Sequence, residues 1–378
     1  MSAVLINLAD YEHHMLPTLY QQQTHLTKYS RWSEELQRRE TWPETVFRYC
    51  DFMFNHVKHK LNYQIDQATQ RRIYEGILLL RVMPSMRAMM TAGKALELDN
   101  AAAYNCAYTH VDWLGAHVEA FYLSMCGAGV GFSVERQFTG QLPLLPDKME
   151  KCDEVIIVPD DRIGWANSYR RILELLFIGK IPSWDVSGVR LAGARLKTFG
   201  GRASGPQPLI DLFNYAISII SQCVNDGRRR LDSIDNHLLM TKMADVAVSG
   251  GVRRAAMISL SNPSDRRMQL CKSGRWFDDA PHLSLANNSA VWTDYPEADY
   301  FMEEWLALVK SKSGERGVIN RFALTEQAKK YRRIRPDDYE YGLNPCFAAN
   351  TLIVTDHGAF PIEELISSAR ISIFLSSP

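Results

Sequence analysis

Apolar positions follow two rhythms along this chain. Between Pro208 and Val224, Leu209, Leu212, Phe213, Ala216, Ile217, Ile220 and Cys223 return at helical spacing, which predicts a helix with one buried stripe and puts Cys223 in the core. The stretches TWPETVFRYCDFMFNHV and RRIYEGILLLRVM repeat that spacing within residues 1–80, so a helical N-terminal domain is expected there. From residue 81 onward, helical patterns such as HVEAFYLSM alternate with short apolar runs such as EVIIV and AAMISLS, and this alternation argues for an α/β architecture. The helix in LDSIDNHLLMTKMADVAV has Asp232, Ser233 or Asp235 as candidate N-caps and is expected to stop at Gly250–Gly251, a pair suited to left-handed backbone. No internal repeat or low-complexity linker stands out, but the character of the sequence changes after Cys346.

Composition narrows the function classes. With 46% hydrophobic and 23% charged residues over 378 positions, the chain has ample material for a sizeable core or for two domains. Lys plus Arg and Asp plus Glu both number 43, so net charge predicts neither a nucleic-acid partner nor a membrane surface. A run of about 18 apolar residues and a basic, apolar leader are both lacking, and a cytoplasmic location is expected. The seven cysteines show no C-x-x-C spacing; this disfavours a zinc ribbon or thioredoxin motif, and no metal ligand set is predicted. Most scattered cytosolic thiols are small core residues.

Four loops concentrate glycine, small polar and basic residues. CGAGVGFS, from Cys126 to Ser133, follows a helical pattern and precedes an extended one, the reverse of a dinucleotide fingerprint; it reads as a tight helix-to-strand turn or as a loop that lets a ligand approach. LKTFGGRASGP, with Gly200 and Gly201, and SGGVRRAA, with Arg253 and Arg254, each pair freed backbone N–H groups with cationic side chains, a phosphate-binding chemistry that solvated turns would also show. The arginines of DGRRRLDS read as a solvated basic patch at a helix end. YNCAY and LNPC place Cys106 and Cys346 in short polar-aromatic contexts outside the periodic helices.

Taken in order, MPSMRAMMTAG, YNCAY, CGAGVGFSV, VPDDRIGWA, RLAGARLKTFGGRASGP, DNHLLMTKMADVAVSGGVRRAAMISL, ANNSAVW, SGERGVINR and GLNPC cover roughly residues 80–346. The series resembles the large chain of ribonucleotide reductases, specifically the adenosylcobalamin-dependent class II type. The resemblance implies a ten-stranded α/β barrel, incomplete here, behind the helical N-terminal domain, with residues 81–345 forming its N-terminal part. It also implies reduction of ribonucleotides at the 2′ carbon: adenosylcobalamin generates a thiyl radical, a cysteine pair supplies two electrons, and thioredoxin later reduces the disulfide. Cys106 matches the first member of that pair, and its partner would lie further along the protein. Ser85, Asn105 and Gly129 match substrate-contacting positions, and Asn344 matches a hydroxyl-binding amide. Gly200 and Gly201 lie in the loop near a deoxynucleotide effector, while Arg253 and Arg254 are candidates for carrying effector identity to the substrate base. The wording of the motifs, VPDDRIGWA above all, is most similar to the triphosphate-reducing branch; diphosphate reduction is the alternative.

At Cys346 the resemblance changes partner. The reductase pattern continues N-P-C with Gly and a catalytic Glu, but here Phe347, Ala348 and Ala349 follow. CFAANTLIVTDHGAFPIEEL is instead similar to the opening block of an intein, implying that residues 346–378 begin one. Cys346 would then be the splicing nucleophile that attacks the Pro345 carbonyl, occupying the radical position without being the radical cysteine. The segment SSARISIFLSSP shows no terminal His-Asn, so the expectation is half of a split intein, or a truncated product, whose partner is a C-terminal reductase fragment carrying the other intein half. Other readings are a precursor whose only activity alone is trans-splicing, and a nucleotide-binding regulatory module without reductase activity.

Overall fold

The computed structural model describes residues 6–194, 202–249, 257–312, 314–333 and 340–343, together with the backbone of 352–355 and 358–361. Its first part is helical, with α1 (Leu19–Thr24), a short pair of strands β1 (Trp32–Ser33) and β2 (Arg38–Arg39), then α2 (Trp42–Leu61) and α3 (Gln67–Leu78). A capping box opens α2: Thr41 accepts from the Glu44 amide, and the Glu44 carboxylate accepts from the Thr41 amide at 2.7 Å, satisfying two otherwise orphaned donors. Trp42, Val46, Cys50 and Phe54 recur every fourth residue along its buried stripe and pack on Tyr74, Ile77 and Leu78 of α3. The apolar pattern RRIYEGILLLRVM outlasts its helix. Leu80 turns left-handed at φ 57°, and the amides of Arg81 and Val82 fold back onto the Gly76 carbonyl, which ends the helix at Leu78. Met89 of α4 (Met86–Thr91) joins the same cluster, and α5 (Lys94–Leu98) follows.

The second part is α/β. In chain order it comprises β3 (Cys106–His110), α6 (Leu114–Met125), β4 (Gly129–Ser133), α7 (Arg136–Thr139), β5 (Glu150–Ile157), α8 (Arg162–Phe177), β6 (Lys180–Asp185), α9 (Gln207–Asn225), α10 (Ser233–Ser249), β7 (Met257–Ser261), α11 (Arg266–Leu270), α12 (Trp276–Asp279), β8 (Ala286–Trp292), α13 (Ala298–Ser311), β9 (Gly317–Asn320) and α14 (Arg321–Lys330). Strands β3-β4-β7-β8-β9 form a five-stranded sheet in that order, every pair parallel. Parallel neighbours need crossover connections, and the intervening helices supply them. β5 and β6 form a separate parallel pair. Last come β10 (Leu352–Thr355) and β11 (Gly358–Pro361), an antiparallel hairpin paired only with itself among the described residues.

Side chains alternate across the sheet, and its two faces differ. Ala107, Val130, Phe132, Met257 and Ala286 turn to one side, into the main core with α6, α8, α9 and α10. Cys223 is fully buried there, as the stripe predicts. The opposite side carries Cys106, Tyr108 and His110 of β3 and Gly129, Gly131 and Ser133 of β4, followed by an apolar patch of Leu260, Val291 and Ile319 with Tyr108 and Leu343. This second side is called the site face below.

The arginines of DGRRRLDS follow the end of α9, with Arg229 and Arg230 exposed as expected of a solvated patch and Arg228 partly buried. Arg228 binds Asp235 at 2.6 Å, Asp232 at 3.0 Å and the Cys223 sulfur at 2.7 Å; Arg229 pairs with Asp147, and Arg230 donates to the Leu142 carbonyl at 2.6 Å. Arg228 is held by acceptors within seven residues, whereas the partners of Arg229 and Arg230 lie more than eighty positions away and leave both side chains at the surface. Asp232 precedes α10, and Asp235 reaches back to accept from the Asp232 amide at 2.7 Å, the returning arm of a capping box.

Candidate functional site

Cys106 opens β3 as an exposed thiol. In the parallel register it stands opposite Gly129, the first residue of β4, and the Gly129 amide donates to the Asn105 carbonyl at 2.7 Å. Asn105, Cys106 and Gly129 therefore meet at the amino end of the sheet. The Asn105 Oδ1 is buried and has no hydrogen-bond partner among the described residues, whereas the Cys106 thiol is exposed. CGAGVGFS is the helix-to-strand turn between α6 and β4. Gly127 holds φ +85°, and a Cβ there would lie 2.0 Å from Nη2 of Arg87, so only glycine fits.

Ser85 caps α4, its hydroxyl accepting from the Ala88 amide at 3.4 Å. Two residues on, the buried Arg87 donates to the Cys126 carbonyl at 3.1 Å and to the Gly127 carbonyl, so α4 is tied to the turn that delivers Gly129. Asn344, Cys346, Gly200, Gly201, Arg253 and Arg254 lie outside the described residues. The anchors of the arginine loop are described: α10 ends at Ser249 and β7 starts at Met257, which pairs with Val130. That loop thus rejoins the sheet at the end where Cys106 and Gly129 lie.

Sequence reasoning missed the groups at the other end of the site face. Arg321 grips both oxygens of Glu135, Nη2 to Oε2 at 2.6 Å and Nη1 to Oε1 at 3.1 Å, and also donates to Glu340 at 2.8 Å and to the Tyr341 carbonyl at 2.9 Å. Glu135 accepts further from Ser133 at 2.7 Å and Gln137 at 2.9 Å. Burial pulls the guanidinium pKa down, but the Glu135 hydrogen bonds and charge outweigh it and hold the group above its ordinary value. The partners lie 186 positions apart, beyond any local pattern; the available signal was an arginine closing a strand-like run in SGERGVINR.

From this bridge the chain runs along the site face. Gly342 lies over the Tyr108 ring, where a Cβ would come within 2.0 Å, and the Leu343 carbonyl faces Gly131, whose Cβ would meet it at 1.6 Å. Because Tyr108 pairs with Gly131 and Cys106 with Gly129, residues 340–343 descend antiparallel to the strands toward the Cys106 end. Burial raises the Tyr108 hydroxyl pKa and lowers that of His110, so both stay neutral near pH 7. A cavity of about 500 Å³, lined by Glu135, Gln137, Asn262, Trp292 and Tyr295 among others, lies at the carboxyl ends of the strands. That is the usual ligand end of open α/β sheets, yet its lining holds no thiol, and Asn105, Cys106 and Gly129 lie at the opposite end.

Residues 146–220 match the family model described as the insertion domain of B12-dependent ribonucleotide reductase; they span β5, α8, β6 and most of α9. The adenosylcobalamin-dependent ribonucleoside-triphosphate reductase of Lactobacillus gasseri is 25% identical over 85% of this chain and 52% of its own length. A probable enzyme of the same name from Dictyostelium discoideum is 26% identical over 84% of this chain and 45% of its own. The crystal structure of a B12-dependent (class II) ribonucleotide reductase superposes with a TM-score of 0.63 at 22% identity, covering 72% of this chain and 46% of that one. The family model and the curated relatives make the chain similar to class II ribonucleotide reductases. The chain spans about half the length of the curated reductases it matches. The mixed α/β fold with its parallel sheet is similar to the class II reductase structure, and no helix of the described residues is long and apolar enough to cross a membrane.

Proposed function

We propose that this chain is the N-terminal part of an adenosylcobalamin-dependent ribonucleoside-triphosphate reductase, with its five parallel strands forming half of a ten-stranded barrel. One observation carries the reading. Residues 340–343 lie on the site face and run toward Cys106, and Leu343 stands at the level of Tyr108 and Gly131, two strand positions short of the Cys106–Gly129 pair. Two positions correspond to roughly 7 Å at a strand's rise, a span that three further residues can cover; the peptide geometry thus permits the LNPC cysteine position and Cys106 to share one substrate.

Adenosylcobalamin, when bound, would supply the radical that initiates the reaction. The described residues fit the steps that follow in placement: Cys106 is an exposed thiol, and Asn105 and Gly129 adjoin it through the backbone register. No described side chain is assigned to the corrin. In the reductive step, Cys106 and a second thiol from the remainder of the protein would lose two electrons and two protons to form a disulfide. The ribonucleotide would lose its 2′ hydroxyl as water and become the deoxyribonucleotide. Thioredoxin would then reduce the disulfide. Arg253 and Arg254, on a loop anchored at this same end, would carry the effector's influence to the base, with Gly200 and Gly201 near the effector. Diphosphates in place of triphosphates are the competing substrate class.

The intein reading is part of the same proposal. Its support is the block that starts at Cys346, the missing catalytic Glu, and the hairpin β10–β11, which stands apart from the reductase sheet among the described residues. Cys346 would act in splicing, and residues 1–345 joined to the C-terminal remainder would be the working reductase, here called the assembled enzyme. Dithiothreitol-dependent reduction of CTP with adenosylcobalamin tests both: turnover by the assembled enzyme and none by the 378-residue chain is expected, while turnover by the short chain overturns its incompleteness. Trans-splicing that survives Cys346→Ala would sink the nucleophile assignment.

A further inference from the structure

Arg321, Glu135 and Glu340 come from three separate parts of the chain and meet at the carboxyl end of the site face. Glu135 is 1% and Arg321 5% exposed. Burying such a pair is seldom a gain in stability, because desolvating both charges offsets their attraction unless the remaining polar atoms are satisfied. Here they are satisfied by Ser133, Gln137 and the Tyr341 carbonyl. What the bridge adds is placement: the guanidinium that holds Glu135 through a bidentate fork also binds Glu340 and Tyr341. Residues 340 and 341 are thereby fixed relative to the end of β4. Further down, Gly342 against Tyr108 and Leu343 against Gly131 leave no space for sliding.

We propose that Arg321 is a positioning residue for the reaction. By bridging Glu135 to Glu340 and Tyr341, it sets the register in which residues 340–343 lie along β3 and β4, and hence where the chain arrives at the Cys106 end. The proposal rests on the reductase reading above. Arg321 acts through the segment it holds and touches no reacting atom. Lysine would keep the charge but lose the planar fork, so its substitution separates charge from geometry.

The test uses the assembled enzyme with Arg321→Met, Arg321→Lys and Gly131→Ala. Arg321→Met is expected to lower kcat on the order of 100-fold, the scale of a misplacement near 1 Å, with KM for the ribonucleotide little changed. Hydrogen exchange at residues 340–343 should rise while that of β7, β8 and α10 stays at the wild-type rate. Arg321→Lys should recover part of kcat. Gly131→Ala keeps the ion bridge but must displace the Leu343 carbonyl, and it should lower kcat as well. Faster exchange at 340–343 with unchanged kcat would overturn the proposal, as would unchanged exchange in Arg321→Met. Should Arg321→Met fail to fold, Gly131→Ala decides, since wild-type kcat there overturns it. If the wild-type enzyme makes no deoxynucleotide, the reductase reading falls, and exchange in the 378-residue chain alone supports or overturns the register role.

Discussion

The two faces of the five-stranded sheet are made from the same strands and do opposite work. On the covered face, Val130, Phe132 and Met257 sit under α6 and α10, and the helices above them bury His117 and His237 as neutral groups. On the site face the alternate residues are Cys106, Tyr108, His110, Gly129, Gly131 and Ser133, few of which add apolar contact. One face supplies stability; the other supplies small residues, a thiol and a path for a second stretch of chain. Substitutions should therefore separate cleanly, costing folding on one side and turnover on the other.

The largest expected effect on folding lies in the covered face. Phe132 is fully buried against that core, and Phe132→Ala should lower unfolding free energy by about 3–5 kcal/mol in urea titration; a loss below about 1 kcal/mol would contradict the packing. Acid acts on the same side. Burial lowers the pKa of His117 to about 4, and burial with Lys272 and His282 nearby lowers that of His237 to about 3. The unfolded chain then binds protons that the folded one refuses, so this contribution is complete above pH 6.5 and is lost as pH falls from there toward the folded values. Between pH 7.5 and 5 the loss should be about 2 kcal/mol for each histidine, and the His237→Gln variant should show a correspondingly shallower dependence. At the rim of this core, Asp161 caps α8 by accepting from the Gly164 amide at 2.7 Å, and Asp161→Ala should cost about 1 kcal/mol. The smallest stability change belongs to the site face: Cys106→Ser should shift unfolding by less than about 0.5 kcal/mol while abolishing multiple turnover of the assembled enzyme with a thiol reductant.

The covered face was the legible one. The stripe of α9 from Leu209 to Cys223 and the period-four stripe of α2 are local patterns, and burial follows from them. The motifs around Cys106 and Gly129 could be read because each is short and contiguous, and the structure brings those two together through a single register. The Glu135–Arg321–Glu340 bridge had no such signal. Its partners are set by the order of strands, which pairing across the sheet decides and no window of sequence displays. The arginines after Asp226 were legible as surface charges, and Arg229 and Arg230 are exposed, but their partners Asp147 and the Leu142 carbonyl are set only by folding. The early end of α3 is a backbone effect, with Leu80 turning left-handed while its neighbours still look helical.

The account depends most on Cys106 taking part in reduction. The most direct measurement is one turnover of the assembled enzyme with adenosylcobalamin and a ribonucleoside triphosphate, without external reductant, followed by alkylation and peptide mass spectrometry. The account predicts Cys106 in a disulfide in proportion to the deoxynucleotide formed. Product formation with Cys106 still fully alkylated would contradict it.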